Sequence, residues 1–315
     1  MNTLNIITKF YGLLNNYGMP VWVMSPLRKM TRGVAYRILP RYLEKQHSKR
    51  INRRSNIIVS FTSFPARINN VWQVVESLKN QTIRPDKIIL WLSKEQFPSR
   101  KDIPDNLWKC EDELFEIRMV DGDIRSHKKY YYVLQNYPDK DFVTCDDDIY
   151  YHPQMLQKLI NTSRLYPGCI IANNTSEMKW DKQGKLMPYA EWRRDMRAYS
   201  SRNNVQIGIG GVLYPAHCLH DDVTRIDLFT KLAPLADDLW LNLMSRLKGT
   251  PVVQTPDYVL PLPIESESPT LSSVNNGEGM NDRQIHKMQA WLKDEGLEDV
   301  YCQNYNVEAT GGVRL

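Results

Sequence analysis

Between residues 56 and 172 the chain alternates in steady order between short runs rich in β-branched residues and stretches whose apolar positions recur every three or four residues. Residues 56–61 (NIIVSF), 87–92 (KIILWL), 114–120, 141–145 and 169–172 read as strands. Ile68, Val71, Trp72, Val75 and Leu78 mark one helical face between the first two, and residues 127–137 and 153–166 read as further helices, with Pro153 at a tolerated first-turn position. Parallel strands need helix-bearing crossovers, so this succession predicts an α/β fold whose mostly parallel sheet is covered by helices on both faces. In such sheets ligands gather beyond the carboxyl ends of the strands, which makes the loops after Phe61 and Cys145 candidate walls of a site. After residue 172 the alternation weakens. Residues 205–214 (VQIGIGGVLY) read as a glycine-interrupted strand, 237–248 as an amphipathic helix, 250–254 as a short strand, 263–280 as a long irregular loop and 282–293 as a terminal helix.

Charge divides the chain unevenly. Residues 1–54 hold eleven Lys and Arg against Glu44 alone, a net +10, which leaves −5 on the other 261 residues. Leu4, Ile7, Tyr11 and Leu14 share a helical face, Phe10 lies beside them, and residues 21–24 add an apolar patch before Pro26. Such a basic amphipathic extension suits an anionic membrane surface; the alternative is a pair of helices capping the main domain with their charge solvated. No nucleic-acid motif accompanies the charge, and nucleic acid is not an expected partner. The division expected is a basic extension, 1–54, and a main domain, 55–315, with a donor half at 55–172 and an acceptor half at 173–315. A hydrophobic content of 42 % with 24 % charged residues excludes collagen-like, coiled-coil and mainly disordered classes. Five scattered cysteines without a C-x-x-C pair suggest neither a disulfide framework nor a zinc module. No run reaches the apolar length of a membrane span, so the expected place is the cytoplasm, with a peripheral seat on the inner face of the cell membrane.

Asp146-Asp147-Asp148 follows an apolar strand directly. Three adjacent carboxylates repel one another, and the carboxyl end of a buried parallel strand is not where a fold requires charge. Hard oxygen ligands of this kind suit Mg²⁺ or Mn²⁺ shared with a substrate's phosphates. In an extended backbone Asp146 and Asp148 share a face and Asp147 points away, so Asp148 and then Asp146 are the expected metal ligands.

Taken together, Ser60-Phe61-Thr62-Ser63-Phe64-Pro65-Ala66-Arg67, Asp146-Asp147-Asp148, Gly210-Gly211 and Asp237-Asp238-Leu239-Trp240 resemble the GT-A class of nucleotide-sugar glycosyltransferases, and more narrowly the bacterial enzymes of capsule and lipopolysaccharide synthesis. The resemblance covers about residues 55–290 at the level of motif order and implies a GT-A-like, Rossmann-related fold. It implies a nucleotide-sugar donor, a UDP-sugar by class, and a saccharide or lipid-linked acceptor, with Mn²⁺ or Mg²⁺ on the donor diphosphate. By the same resemblance Thr62, Ser63 and Arg67 would contact the donor, Lys128 its base or sugar, Asp146 and Asp147 its diphosphate region, and Gly210 and Gly211 its sugar. Asp238, supported by Asp237, would be the general base of an inverting transfer. Trp192, Arg193 and Arg194 fall on the acceptor side, and Arg283 or His286 would reach the diphosphate from the long loop.

Bland accounts stand beside these. Thr62 and Ser63 can cap the following helix, Asp237 and Asp238 can serve a helix dipole, the glycines can form a bulge, and Trp192 can be core. Two rival functions remain: a capsule sugar-phosphate transferase or nucleotidyltransferase, which also uses clustered Asp with Mg²⁺, and a non-catalytic sugar-binding protein. A glycine-rich phosphate loop with a lysine is not present, which weighs against nucleotidyl transfer.

Overall fold

The computed structural model describes residues 2–14, 21–45, 54–192, 200–256, 260–265 and 279–305. Two helices open the chain, α1 (Thr3–Leu13) and α2 (Val21–Glu44). The alternating region follows as β1 (Ile58–Thr62), α3 (Val71–Lys79), β2 (Lys87–Ser93), the single turn α4 (Asp105–Trp108), β3 (Phe115–Val120), α5 (Lys128–Asn136) and β4 (Phe142–Thr144). Next come β5 (Ile149–Tyr150), α6 (Met155–Leu165), β6 (Ile170–Glu177), β7 (Ser200–Ser201) and β8 (Asn204–Tyr214). The described chain ends with α7 (Ile226–Leu232), α8 (Asp237–Lys248), β9 (Val252–Gln254), β10 (Leu262–Pro263) and α9 (Met280–Asp294).

Eight strands form one sheet in the order β3-β2-β1-β4-β8-β6-β9-β7, and β10 pairs with β5 in a small antiparallel ribbon. β3, β2, β1 and β4 are mutually parallel, whereas β8 runs against both its neighbours, β4 and β6. β9 is parallel to β6, and the short edge strand β7 is antiparallel. The architecture is therefore mixed α/β with a mostly parallel central sheet. The order 3-2-1-4 is that of a Rossmann-like half: the chain winds outward from β1 and then returns to its other side, so the loops leaving β1 and β4 part from each other and open a crevice.

Alternation along the strands assigns the two faces. Val59, Phe61, Ile88, Leu90 and Leu92 share one hydrophobic cluster with residues of α3 and α6, while Ile58, Ile89 and Trp91 share the other with residues of α5, α7, α8 and α9. Leu4, Tyr11, Met24, Ala35, Leu39 and Leu43 belong to the first cluster, so α1 and α2 cap the same face as α3. α2 runs through Pro26 and Pro40 without a break.

The reversed strand β8 explains the weakening of the sequence pattern. Its pairing with β6 shifts register between Ala172 and Asn174, beside Gly210 and Gly211. A Cβ on Gly210 would lie 2.9 Å from Asn173 Cβ, and one on Gly211, at φ +88°, would lie 3.0 Å from Met155 Sδ. Glycine is needed here for a close crossing of strand and helix.

His127 fastens the start of α5 to the opposite layer. Ala233 O can only accept, so His127 Nε2 carries the proton and donates to it at 2.9 Å, and Nδ1 accepts from the Tyr130 hydroxyl at 2.7 Å. The ring stacks on Phe229 with centroids 4.4 Å apart. Burial pushes His127 down to about 4, outweighing the opposing pull of Asp237. The unfolded chain thus binds one more proton between pH 6.5 and about 4, and stability falls as pH drops through that window, by about 3 kcal/mol in total. We expect His127→Gln to flatten the pH dependence of the unfolding free energy there by about 1.4 kcal/mol per pH unit, measured by urea titration. Equal slopes in both proteins would contradict a buried neutral histidine.

Candidate functional site

The crevice between the β1 and β4 loops is a cleft of about 580 Å³. Thr62, Ser63, Phe64 and Arg67 line it from the end of β1 and its loop, Asp123, Arg125 and Ser126 from the β3–α5 connection, Lys128 and Lys129 from the start of α5, and the aspartate triplet from the end of β4. Ile207 and Ile209 of β8, the first turn of α8, Pro263 and Asn281 complete the wall.

The segment carrying the triplet is pinned on both sides. Cys145 N–H donates to Ser60 O at 3.0 Å, Asp146 N–H to the Tyr151 hydroxyl at 2.7 Å, and Ile264 N–H to Asp148 O at 2.7 Å. Asp147 is the most buried of the three, its side chain 7 % exposed against 25 % for Asp146 and 22 % for Asp148. Ser63 Oγ donates to Asp147 Oδ2 at 2.6 Å, and Arg67 Nη1 lies 2.7 Å from Asp147 Oδ1 and 3.0 Å from Asp148 Oδ2. Ser63 and Arg67 therefore brace the β1 loop against the triplet. Thr62 Oγ1 donates to Trp91 O at 2.7 Å, anchoring that loop to β2. Lys128 is spent on Asp123, which also accepts from Gln96 Nε2 at 2.8 Å. Gln96 Oε1 is buried beside the cleft with no hydrogen-bond partner among the described residues.

A residue that sequence reasoning did not single out stands at the centre. Lys129 Nζ lies 2.5 Å from Asp146 Oδ1 and 3.4 Å from Asp237 Oδ2, so one ammonium ties the triplet to the acidic pair of α8. Ser60 Oγ donates to Lys129 O at 2.5 Å and accepts from Trp91 Nε1 at 2.9 Å, which fixes the lysine's backbone to the sheet. The only sequence signal was a second lysine beside Lys128 at the start of a helix; nothing local separates the one paired with Asp123 from the one in the site.

Asp237 and Asp238 open α8, where exposed N–H groups favour negative charge. Asp238 Oδ2 accepts from Gly208 N–H at 3.0 Å. A Cβ on Gly208 would come within 3.2 Å of Asp238 Oδ1 and 3.5 Å of Asp146 Oδ1, so this glycine keeps open the gap between the two carboxylates. Burial alone would raise both members of the pair. Lys129, His127 and the Ser126 hydroxyl together outweigh it for Asp237, which is held below the ordinary carboxylate range, whereas burial and then the Asp237 charge raise Asp238 to about 8. Burial, then Asp146, pushes Asp148 up to about 6 against the pull of Arg67.

The donor set fits a divalent cation. Five aspartates crowd this wall, with Lys129 and Arg67 as the cations that pair with them. Among the described residues no group of three or more acids, histidines or cysteines forms a ready metal cage. Mg²⁺ and Mn²⁺ take one or two carboxylates and leave other positions to substrate oxygens and water.

The structure brings Thr62, Ser63, Arg67, Lys128, Asp146, Asp147, Asp148, Asp237 and Asp238 to one cleft. Gly210 and Gly211 stand outside its lining, since their close contacts are Asn173 and Met155; Gly208 is the glycine that the carboxylates approach. Trp192 is core, 3 % exposed, its Nε1 donating to Met187 O at 2.9 Å. Arg283 and His286 are exposed and do not line the cleft, to which α9 contributes Asn281 instead. Arg193, Arg194 and residues 266–278 lie outside the described residues.

No protein-family model and no curated protein matches the chain. Among solved structures it is similar to HddC from Yersinia pseudotuberculosis, at 12 % identity over 51 % of this chain and 76 % of that one, with a TM-score of 0.33. The same protein complexed with GMP-PN gives 10 % identity, the same coverage and a TM-score of 0.32. An apo-UDP-glucose pyrophosphorylase gives 11 % identity over 77 % of this chain and 99 % of that one, with a TM-score of 0.41.

Removing a cation from a partly buried ion cluster leaves its partners uncompensated. Lys129→Met should cost about 3 kcal/mol in chemical unfolding. In the Lys129→Met/Asp237→Asn double variant the loss should be smaller than the sum of the two single losses, because one of the two orphaned charges is gone; an additive result would reject the bridge.

Proposed function

We propose that this chain transfers a sugar from a nucleoside diphosphate sugar, a UDP-sugar by class, to a hydroxyl of a saccharide or lipid-linked acceptor, with inversion at the anomeric carbon. One observation carries the reading: two acidic groups, Asp146/Asp148 at the end of β4 and Asp237/Asp238 at the start of α8, face one cleft at the β1/β4 switch point, with the space a side chain on Gly208 would fill left open between them. A cleft with two separately mounted carboxylate groups can give one to a cation and one to a proton.

Asp148 and Asp146 would hold Mn²⁺ or Mg²⁺, which when bound supplies Lewis-acid stabilisation of the departing diphosphate. Asp238 takes the proton from the acceptor hydroxyl as its oxygen bonds to the anomeric carbon, and the bond from that carbon to the diphosphate oxygen breaks with its electron pair leaving on the nucleotide. Asp237, paired with Lys129, keeps its charge beside Asp238 and positions it. Asp147 acts on the donor through the β1 loop, by fixing Ser63 and Arg67. Thr62, Lys128 and the unpartnered Gln96 Oε1 border the part of the cleft suited to the nucleoside, where Gln96 can accept an N–H of the base.

A second reading is nucleotidyl transfer to a sugar phosphate, the side on which the pyrophosphorylase name falls. At the TM-scores found, that name decides nothing, and the choice rests on the product. Nucleotide sugars with Mn²⁺ and an acceptor mixture should release nucleoside diphosphate. Pyrophosphate from a nucleoside triphosphate and a sugar 1-phosphate would establish the second reading, nucleoside monophosphate would point to sugar-phosphate transfer, and binding without turnover to a non-catalytic protein.

Asp148→Asn should weaken metal-dependent donor binding at least tenfold by calorimetry. Asp238→Asn should leave donor affinity within about threefold while turnover falls by about 10²–10⁴. Loss of donor binding in Asp238→Asn would remove it from the base role.

A further inference from the structure

The face of the N-terminal helices that packs on the core is not their only apolar face. On α1, Leu4, Tyr11 and Leu14 are buried, yet Ile6, Phe10 and Leu13 on the other side are exposed. On α2, Thr31, Ala35, Leu39 and Leu43 form the buried row, while Met30, Val34 and Ile38, each one residue earlier, form an exposed row, with Trp22 at 77 % exposure near the helix start. These seven are most of the ten large hydrophobic side chains that the described residues expose. A helix that only capped a domain would turn a polar face outward. Apolar surface gathered in one place marks something that covers it.

Charge identifies the cover. One residue earlier again, Lys29, Arg37 and Arg41 on α2 and Lys45 just past its end form a third row, all exposed. Around the helix the order is buried seam, exposed apolar row, basic row. Lys9 adds to this on α1, and Glu44 is the one acid in either helix. Apolar side chains flanked by lysine and arginine, with a tryptophan at the end, match the boundary between anionic headgroups and acyl chains.

We infer that the outward face of α1 and α2 seats the protein on an anionic bilayer surface, α2 lying in its plane with Trp22, Met30, Val34 and Ile38 inserted and Lys29, Arg37 and Arg41 against the headgroups. The face differs from the one the sequence suggested: Leu4, Tyr11 and Leu14 are spent on the core. No helix among the described residues is long and apolar enough to cross a membrane, so the attachment is interfacial. α1 packs beside β10, whose Pro263 lines the cleft, which sets the seat one layer from the site. The inference stands independently of the reaction proposed above.

The test is co-sedimentation of the full chain with vesicles of phosphatidylcholine alone and of phosphatidylcholine with phosphatidylglycerol. Binding to the anionic vesicles should exceed binding to the neutral ones at least tenfold and should fall with added salt. Met30→Ser/Val34→Ser/Ile38→Ser should lose at least tenfold in vesicle affinity while its thermal midpoint and its circular dichroism stay unchanged, since those side chains are exposed. Arg37→Gln/Arg41→Gln should lose roughly fivefold per charge removed. Equal binding to both vesicles, no binding, or undiminished binding by the serine variant would overturn the inference. So would a wild-type dimer in light scattering that the serine variant turns into monomer, which would make a second copy of the chain the occupant.

Discussion

A single ammonium holds together the two halves of the cleft. Lys129 rises from the first turn of α5, on the β3–β4 crossover, and reaches Asp146 at the end of β4 and Asp237 at the start of α8. The fold brings these carboxylates close for separate reasons. The strand order puts the β4 end at the switch point, and the return of the chain through β8 lays α8 against it. Like charges so close would drive the elements apart, and the lysine reverses that sign. His127, two residues earlier, locks the same turn of α5 to Ala233 and Phe229 in front of α8. Charge and packing thus act on one joint, and the gap at Gly208 has the width they set.

The same joint makes adjacent acids unequal. Asp237 has Lys129 and stays charged; Asp238 is buried beside that charge, and its proton is held more tightly although the Gly208 N–H pulls the other way. In the triplet, Asp147 is satisfied by Ser63 and Arg67, whereas Asp148 shares the guanidinium and is raised by burial and then by the Asp146 charge. Each motif therefore contains one residue committed to ion pairs and another whose proton is held more tightly than an ordinary carboxyl holds it.

Period and punctuation made much of the sheet legible. The runs at 56–61, 87–92, 114–120 and 141–145 match β1 to β4 within a residue or two, and 237–248 matches α8, because a buried strand and an amphipathic helix each carry their own signal. What escaped was long-range. The ribbon of β5 and β10 joins residues more than a hundred positions apart, and β7 is two residues long. The aspartates could be singled out because they violate the pattern of a buried strand end. Lys129 could not, since its partners are 17 and 108 residues away. Gly210 and Gly211 misled for a related reason: a glycine signals close approach without saying to what, and here the neighbours are Asn173 and Met155.

The N-terminal helices show where a binary pattern underdetermines a helix. Leu4, Ile7, Tyr11 and Leu14 make a complete apolar face, and one such face satisfies either a domain surface or a membrane, so a sequence with one face leaves the choice open. Three-dimensional packing consumes that face and leaves Ile6, Phe10 and Leu13 uncovered, which a single-face reading treats as noise. Once the core has taken its share, what is left over carries the information. Apolar residues that folding fails to bury, set in rows beside lysine and arginine, are ordered by a second environment. An aqueous surface alone gives no reason to place Met30, Val34 and Ile38 one after another along the same row.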